Sequence, residues 1–282
     1  MASPITATVI IATYNQPREL ELALVALSRQ SRYPLEVIVG DDGSGSETRD
    51  LIQRYKADFP FALRHVWQRD VGYRKARVMN EAVREAEGEH IIFLDGDSFP
   101  HPNWVADHLA SANRRHVLCG RRVKLGPKLS PTVTTEHLRQ GHFDSFLSPM
   151  IMRSSLAGDT KRLGLGVRVP RPIARVLHPR PRKLMGVNFS LPKSAFAAVN
   201  GYNEDWNVYG HEDRDLELRL IRAGYPRKAL LNRAVVYHLH HQQRQKSEET
   251  LRLIREAEES TDVRCARGYD LGMGRNECLT TP

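Results

Sequence analysis

Two carboxylates separated by one glycine, Asp95-Gly96-Asp97, follow the apolar run Ile91-Ile92-Phe93-Leu94 and are the first candidates for chemistry in this chain. If that run is a buried strand, the turn presents two hard oxygen ligands at a sheet edge, and Gly96 lets backbone and ligand approach closely. Such a pair suits a divalent cation, Mn2+ or Mg2+, which could neutralise a diphosphate departing in a group transfer. An acidic turn with glycine is common punctuation by itself; its place at the mouth of an apolar run sets this one apart. Asp41 and Asp42 end a second such run, Leu35–Gly40. They either close a turn through Gly43 and Ser44 or accept an N–H from a uracil-like base, since adjacent carboxylates repel unless something binds there. Thr13, Tyr14 and Asn15 end a third run and could cradle base and ribose. Arg74, Lys75 and Arg77 open a helix after Gly72, where they either clamp phosphate or lie along the helix surface.

Two clusters lie later. His211, Glu212 and Asp213 follow Gly210, with Trp206 and Tyr209 just before. Acids in a helix's first turn are favoured by its dipole, and the same group would also make an acceptor pocket with a general base for a hydroxyl. His238, His240 and His241 follow an apolar strand, where an imidazole is either structural or a third ligand for a cation on Asp97.

Placing these groups together requires a particular scaffold. Residues 5–12 and 35–40, the stretch 62–67 and the run at 90–94 read as strands, alternating with helices from Pro17, over 46–58 and over 73–87. Leu20, Leu24 and Leu27 fall at helical spacing. This βαβα order calls for an α/β fold, a mostly parallel sheet with helices on both faces, whose ligands gather outside the carboxyl ends of the strands. A helix near 103–114, one strand over 116–123, a helix over 211–224 with a stripe of Leu216, Leu220 and Ile221 stopped by Gly224, a strand near 233–239 and a helix over 247–259 complete the expectation. Residues 1–115 would form a nucleotide-binding half, 116–241 an acceptor and catalytic half, and 242–282 a C-terminal helix and an unassigned tail.

Composition narrows the class. With 282 residues, 40% hydrophobic and 27% charged, the chain has the make-up of an ordinary globular protein able to bury its own core. No apolar run approaches the roughly 18 residues of a bilayer span, and the N-terminal apolar stretch reads as a first strand rather than a leader. Cys119, Cys265 and Cys278 are odd in number and lack metal-ligand spacing, which points to free thiols in a reducing, cytoplasmic compartment. The net charge of +9 is concentrated, because Met150–Met185 holds nine Lys and Arg against the single Asp159. That segment is either a solvated loop or a surface for anionic lipid or glycan, which would place the protein peripherally on the inner face of a membrane. Few aromatics and no recognisable motif speak against nucleic acid.

Taken in order, ATYN, VGDDGS, GYRKARVMN and FLDGDSFPHP resemble family 2 glycosyltransferases of GT-A fold. The later run from Met185 to Gly224, followed by VVYHLHH, is similar to the C-terminal module of galactosyltransferase- and chondroitin-polymerase-like enzymes. The resemblance implies an inverting, metal-dependent hexosyl transfer from a UDP-sugar to a glycan or glycolipid such as lipopolysaccharide or capsule. It implies that Asp41 or Asp42 binds uracil, Asp95 the ribose or diphosphate, and Asp97 the Mn2+ or Mg2+ with His238, or less readily His241. Glu212 would hold the acceptor, Asp213 would be the catalytic base, and Asn188 would position donor sugar or diphosphate. Val208-Tyr209-Gly210-His211 departs from the Trp or second Gly common in relatives, so sugar preference does not carry over. A sugar nucleotidyltransferase would need a Gly-rich basic loop after the first strand, and a dehydrogenase would need G-x-G-x-x-G there; TYNQPRE is neither. A non-catalytic carbohydrate-binding protein would have no use for the acidic turn together with Asp213.

Overall fold

A computed structural model of the chain describes residues 5–242, 245–271 and 278–281. Residues 1–4 of the N-terminal stretch, residues 243–244, and residues 272–277 and 282 of the tail lie outside these. The first half alternates as read: β1 Ala7–Thr13, α1 Pro17–Ser28, β2 Glu36–Asp41, α2 Ser46–Lys56, β3 Ala62–Gln68, α3 Lys75–Glu85 and β4 His90–Asp95. After it come β5 Ser98–Pro100, α4 Trp104–Ser111, β6 Val117–Cys119, β7 Arg122–Lys124, α5 Thr135–Arg139, α6 Pro149–Leu156 and α7 Arg171–Leu177. The chain continues through β8 Phe189–Pro192, α8 Lys193–Ala198, α9 Glu212–Arg222, β9 Arg227–Ala229, β10 Val236–His238, α10 Glu248–Glu259 and β11 Cys278–Thr281.

The main sheet runs β11-β3-β2-β1-β4-β8-β6-β9. β3, β2, β1 and β4 are mutually parallel, while β8 and β11 run against their neighbours. Both faces are covered, which is why the central strands are apolar throughout rather than alternating. Along β1, Val9 and Ile11 pack with Leu24, Leu27 and Trp104 on one face, and Ile10 packs with Ile38, Met79 and Phe93 on the other. Pro17 sits in the first turn of α1, where its missing N–H costs nothing. A second sheet, β5-β10-β7, rests on a third core of Phe99, Tyr237, Phe143 and Val123 with Leu22 and Val25 of α1. Among the described residues no helix is long and apolar enough to cross a membrane.

Three details differ from the sequence reading. The strand expected over 116–123 is two strands in two sheets, broken at Gly120 because that backbone presses on Asn188; a Cβ there would lie 2.3 Å from Asn188 Nδ2. Leu216 and Leu220 of α9 are buried, but Ile221 turns outward. Part of the unassigned tail, β11, adds antiparallel to β3 at the sheet edge.

Candidate active site

β1, β2 and β4 end at one edge, and that edge is where the acidic residues collect. At the exit of β4, Gly96 N–H donates to Ala12 O at 2.8 Å, and a Cβ on Gly96 would stand 2.9 Å from that same oxygen. Only glycine lets the turn pass so close to β1. The chain then enters β5, which pairs antiparallel with β10 so that His238 lies opposite Ser98, and Leu239 N–H donates to Asp97 O at 3.0 Å. This pairing delivers the late imidazoles to the early carboxylate. His238 Nε2 and His241 Nε2 each lie 3.3 Å from Asp97 Oδ2, and the ligand atoms of all three residues fall within 4.8 Å of one another. Burial works to raise the Asp97 carboxyl, but hydrogen bonds from both imidazoles outweigh it and hold the group well below the usual carboxylate range. A carboxylate and two imidazoles converging in an open cleft fit a divalent cation. Asp95, expected beside Asp97 as a ligand, turns instead to Lys75, and His241, expected as the lesser candidate, completes the cluster.

A cavity of about 430 Å³ opens at these strand ends, lined by Thr13, Tyr14, Asp42, Lys75, Asp95 and Asp97 among others. Asp42 Oδ1 accepts from Gln68 Nε2 at 2.5 Å and Oδ2 from Arg74 N at 2.8 Å. Burial raises its pKa against the pull of those two donors. Asp41 does not reach the cavity. It is fully buried, with Oδ1 accepting from Ser44 N at 2.8 Å and Oδ2 3.0 Å from His65 Nε2, so it anchors the β2 turn. Asn15 does not line the cavity either; exposed and in a left-handed conformation (φ 49°), it ties the β1 and β2 loops through Ser44 and Gly45. Of the basic residues near Gly72, only Lys75 lines the cavity; Arg77 does not, and Arg74 folds back to donate to Arg69 O at 2.5 Å.

Lys75 joins the strand ends to α9. Its Nζ lies 3.0 Å from Asp95 Oδ1 and 3.1 Å from Glu212 Oε1. Burial opposes its charge, yet Asp95 and Glu212 keep it protonated well above the ordinary lysine range. Tyr73 OH also donates to Glu212 Oε1, at 3.1 Å. With one oxygen so engaged and the other buried without a partner, Glu212 lines neither cavity and sits behind Lys75 and Tyr73 rather than at an acceptor surface. Asp213, one residue on, does reach open space. Gly186 N–H donates to its Oδ2 at 2.8 Å and Tyr202 OH to its Oδ1 at 3.0 Å. Burial, then the charge of Glu212, raise the Asp213 pKa to about 7, with Lys75 pulling the other way. A side chain on Gly186 would collide with Asp213 Oδ2 at 2.5 Å.

Asp213 opens into a larger groove of about 1400 Å³, which also reaches Asp95, Asp97, Tyr209 and His238. Tyr209 and His240 line it, whereas Trp206 is buried and donates from Nε1 to Gly210 O at 2.9 Å, bracing the approach to α9. Asn188 is not part of either cavity. Its Nδ2 donates to Arg121 O and Ala234 O, both at 2.8 Å, and its Oδ1 accepts from Trp104 Nε1 and faces His108 Nε2, so the amide is spent inside the fold. Tyr73, Tyr202 and Gly186 escaped the sequence reading. Tyr202 and Gly186 lie inside the quoted C-terminal run, but a tyrosine beside a turn and a lone glycine signal only packing and bending.

Residues 8–160 match the family model described as glycosyl transferase family 2, and residues 177–242 match one described as the N-terminal domain of galactosyltransferase. Validoxylamine A glucosyltransferase of Streptomyces hygroscopicus subsp. limoneus is 31% identical over 230 residues, covering 78% of this chain and 48% of that protein. Chondroitin synthase of Escherichia coli is 25% identical over 225 residues, covering 77% of this chain and 32% of its own length. The chain thus spans about half or less of these curated relatives. A solved mannosyltransferase from Pyrobaculum calidifontis, in complex with GDP-Man and Mn2+, superposes with a TM-score of 0.54 at 18% identity, over 90% of this chain and 69% of that one. That likeness concerns the fold, a GT-A architecture. The family 2 match extends over more than half of the sequence and takes in the strand ends that build the cavity, so the chain belongs to glycosyltransferase family 2.

Proposed function

We propose that the protein transfers a sugar from a UDP-sugar to a hydroxyl of a glycan or glycolipid acceptor, with inversion at the anomeric carbon and with a divalent cation bound. The observation that carries the reading is the meeting of Asp97, His238 and His241 at the rim shared by the small cavity and the large groove, with Asp213 in the same groove. The small cavity, built largely by residues before 116, would take the donor. Thr13 and Tyr14 would flank base and ribose, and Asp42 has free lone pairs for a base N–H. The cavity's charge supports a cation. Asp42, Asp70, Asp95 and Asp97 line it against the single Lys75, a wall that repels a diphosphate unless positive charge is added. A mixed carboxylate and imidazole set favours Mn2+ over the oxygen-seeking Mg2+. When bound, the cation would stabilise the charge developing on the departing diphosphate.

In this scheme Asp213 takes the proton of the acceptor hydroxyl as its oxygen bonds to the anomeric carbon. The bond from that carbon to the diphosphate oxygen breaks on the opposite face, and the nucleoside diphosphate leaves. Lys75, held by Asp95 and Glu212, would present its ammonium to the diphosphate. Incubation of the pure protein with a panel of UDP- and GDP-sugars and Mn2+ tests the reading. Slow release of UDP is expected even without acceptor, and Asp97→Ala and His238→Ala should reduce both release and Mn2+ affinity at least about tenfold. Equal release by wild type and Asp97→Ala would refute it, and release from a GDP-sugar alone would correct the base.

A further inference from the structure

The larger groove has a charge pattern that the transfer step does not use. Arg121, Arg122, Lys124, Lys161, Arg162 and Lys183 all line it. The backbone concentrates them. Arg122 and Lys124 share one face of β7, alternating with the fully buried Val123. Lys161 is clamped beside Lys124 by a reciprocal pair of backbone bonds, 2.8 and 3.0 Å long. Lys124 in turn stands opposite His238 in the β7–β10 register, about one strand spacing of 4.8 Å from the backbone of that imidazole. Arg162, the next residue, is held in the left-handed region at φ 62°, a conformation a β-carbon resists.

Among the described residues none of these six is ion-paired with a carboxylate, and Arg122 Nε is buried without an acceptor. Arg121 spends its guanidinium on two carbonyls, Gly120 O and Lys183 O. The six acids of the same groove are engaged elsewhere: Asp95 with Lys75, Asp97 with His238 and His241, Asp213 with Gly186 N and Tyr202 OH, and Glu258 with Arg214. Asp159 accepts from Lys128 N, Leu129 N and Ser154 Oγ, and Glu217 is held by Arg214, Arg227 and Leu184 N. The crowding has an electrostatic signature. Lys124 is lowered below the usual lysine pKa by burial and then by Arg122, Arg162 and Lys161. Six cations without a carboxylate partner, gathered in one concavity, disfavour one another until a ligand of opposite charge arrives. A bilayer surface cannot enter such a groove, whereas a single glycan chain can.

We infer that the groove receives a glycan acceptor that carries anionic groups, carboxylate or phosphate, within one or two units of the accepting hydroxyl. The inference rests on the groove being the acceptor side of the proposed transfer. It is tested by calorimetry on the full chain with three probes: a uronate-containing tetrasaccharide, its carboxyl-reduced neutral counterpart, and a tetrameric glycerol-phosphate. One of the two anionic probes should bind roughly tenfold more tightly than the neutral one, the product of a few partly exposed charge pairs. The gap should shrink as salt is raised, and whichever anionic probe binds better names the anion. A Lys124→Ser/Lys161→Ser variant should lose the gap, and Lys124→Arg/Lys161→Arg should keep it. Equal binding of charged and neutral probes, binding of none, a gap that survives in the serine variant, or displacement of the bound oligomer by UDP alone would each overturn the inference. The wild-type comparison needs no variant to fold. Donor hydrolysis by the wild type is read separately: hydrolysis without anion preference refutes this inference alone, and preference without hydrolysis refutes the transfer alone.

Discussion

Replacing Asp213 with Asn isolates the role of one proton acceptor with little structural disturbance. The carboxylate accepts from Gly186 N–H at Oδ2 and from Tyr202 OH at Oδ1. An Asn amide fits the same place with its oxygen toward Gly186 and its NH2 donating to the Tyr202 oxygen, since a phenol both donates and accepts. No hydrogen bond need be lost. What disappears is the ability to take a proton, a contribution of about 10²–10⁴-fold in rate for a positioned general base. The pH dependence has a definite sign. With a pKa raised to about 7, Asp213 is protonated below that pH and inactive as a base, so kcat/KM should climb through pH 7 and level above it. Stability should move the other way. Between the ordinary carboxyl pKa and about 7 the unfolded chain is ionised at this position while the folded one is not, so folding stability contributed by this group falls as pH rises through that window. Asp213→Asn should therefore melt no lower than wild type at pH 8 while turning over at least about a hundredfold more slowly. The assay is UDP release over pH 5.5–9 at saturating Mn2+, with thermal melts of both proteins at pH 5 and pH 8. Turnover by the variant within about tenfold of wild type, or a wild-type profile flat from pH 5.5 to 8, would refute the assignment.

Two more outcomes follow from the same geometry. Lys75→Met removes the cation between Asp95 and Glu212 and leaves two carboxylates facing each other, which should cost about 2–4 kcal/mol in urea unfolding; a loss under about 0.5 kcal/mol would mean the pair is solvent-screened. Because the Lys75 pKa is raised, that contribution persists through neutral pH and fades only above the ordinary lysine range. The basic segment offers a surface outside the groove, where α7 leaves Ile173, Val176 and Leu177 exposed beside Arg171 and Arg175. Vesicles rich in anionic lipid should bind the protein, and Arg171→Ser/Arg175→Ser/Arg180→Ser together with raised salt should weaken binding by tenfold or more, at about 1 kcal/mol per arginine; sedimentation unaffected by either change would leave the segment as a solvated surface.

The parts of the fold legible in the sequence are those whose signal is local. β1, β2 and β4 are apolar, β-branched runs ending in polar clusters, and burial on both faces makes such runs conspicuous. α1 and α9 announce themselves through Pro17, Gly224 and paired leucines. The failures share another cause. Asp41 and Asp42 are adjacent at a strand end, so their side chains leave on opposite sides, and nothing in the pair says which side holds His65 and which holds open space. Asn188 carries a polar side chain beside a motif, but its partners Trp104 and His108 of α4, Arg121 and Ala234 come from three separate stretches of chain. The break at Gly120 depends on that same asparagine, so one unreadable contact hid another.

The two compartments carry opposite charge, and that opposition bears on how substrates are sorted. A bare nucleoside diphosphate would be repelled by Asp42, Asp70, Asp95 and Asp97 in the small cavity and drawn toward Lys124 and Lys161 in the groove. A divalent cation at Asp97, on the rim the two compartments share, would reverse the first preference, while Lys124 and Lys161 keep the groove basic across β10 from the acidic cluster. On the proposed reading the cation therefore does more than assist departure of the diphosphate: it directs the donor to the strand ends and leaves the groove for an anionic acceptor. The central place of β10 makes this separation possible, since its pairing with β5 brings His238 to Asp97 and its pairing with β7 sets Lys124 on the other side of it.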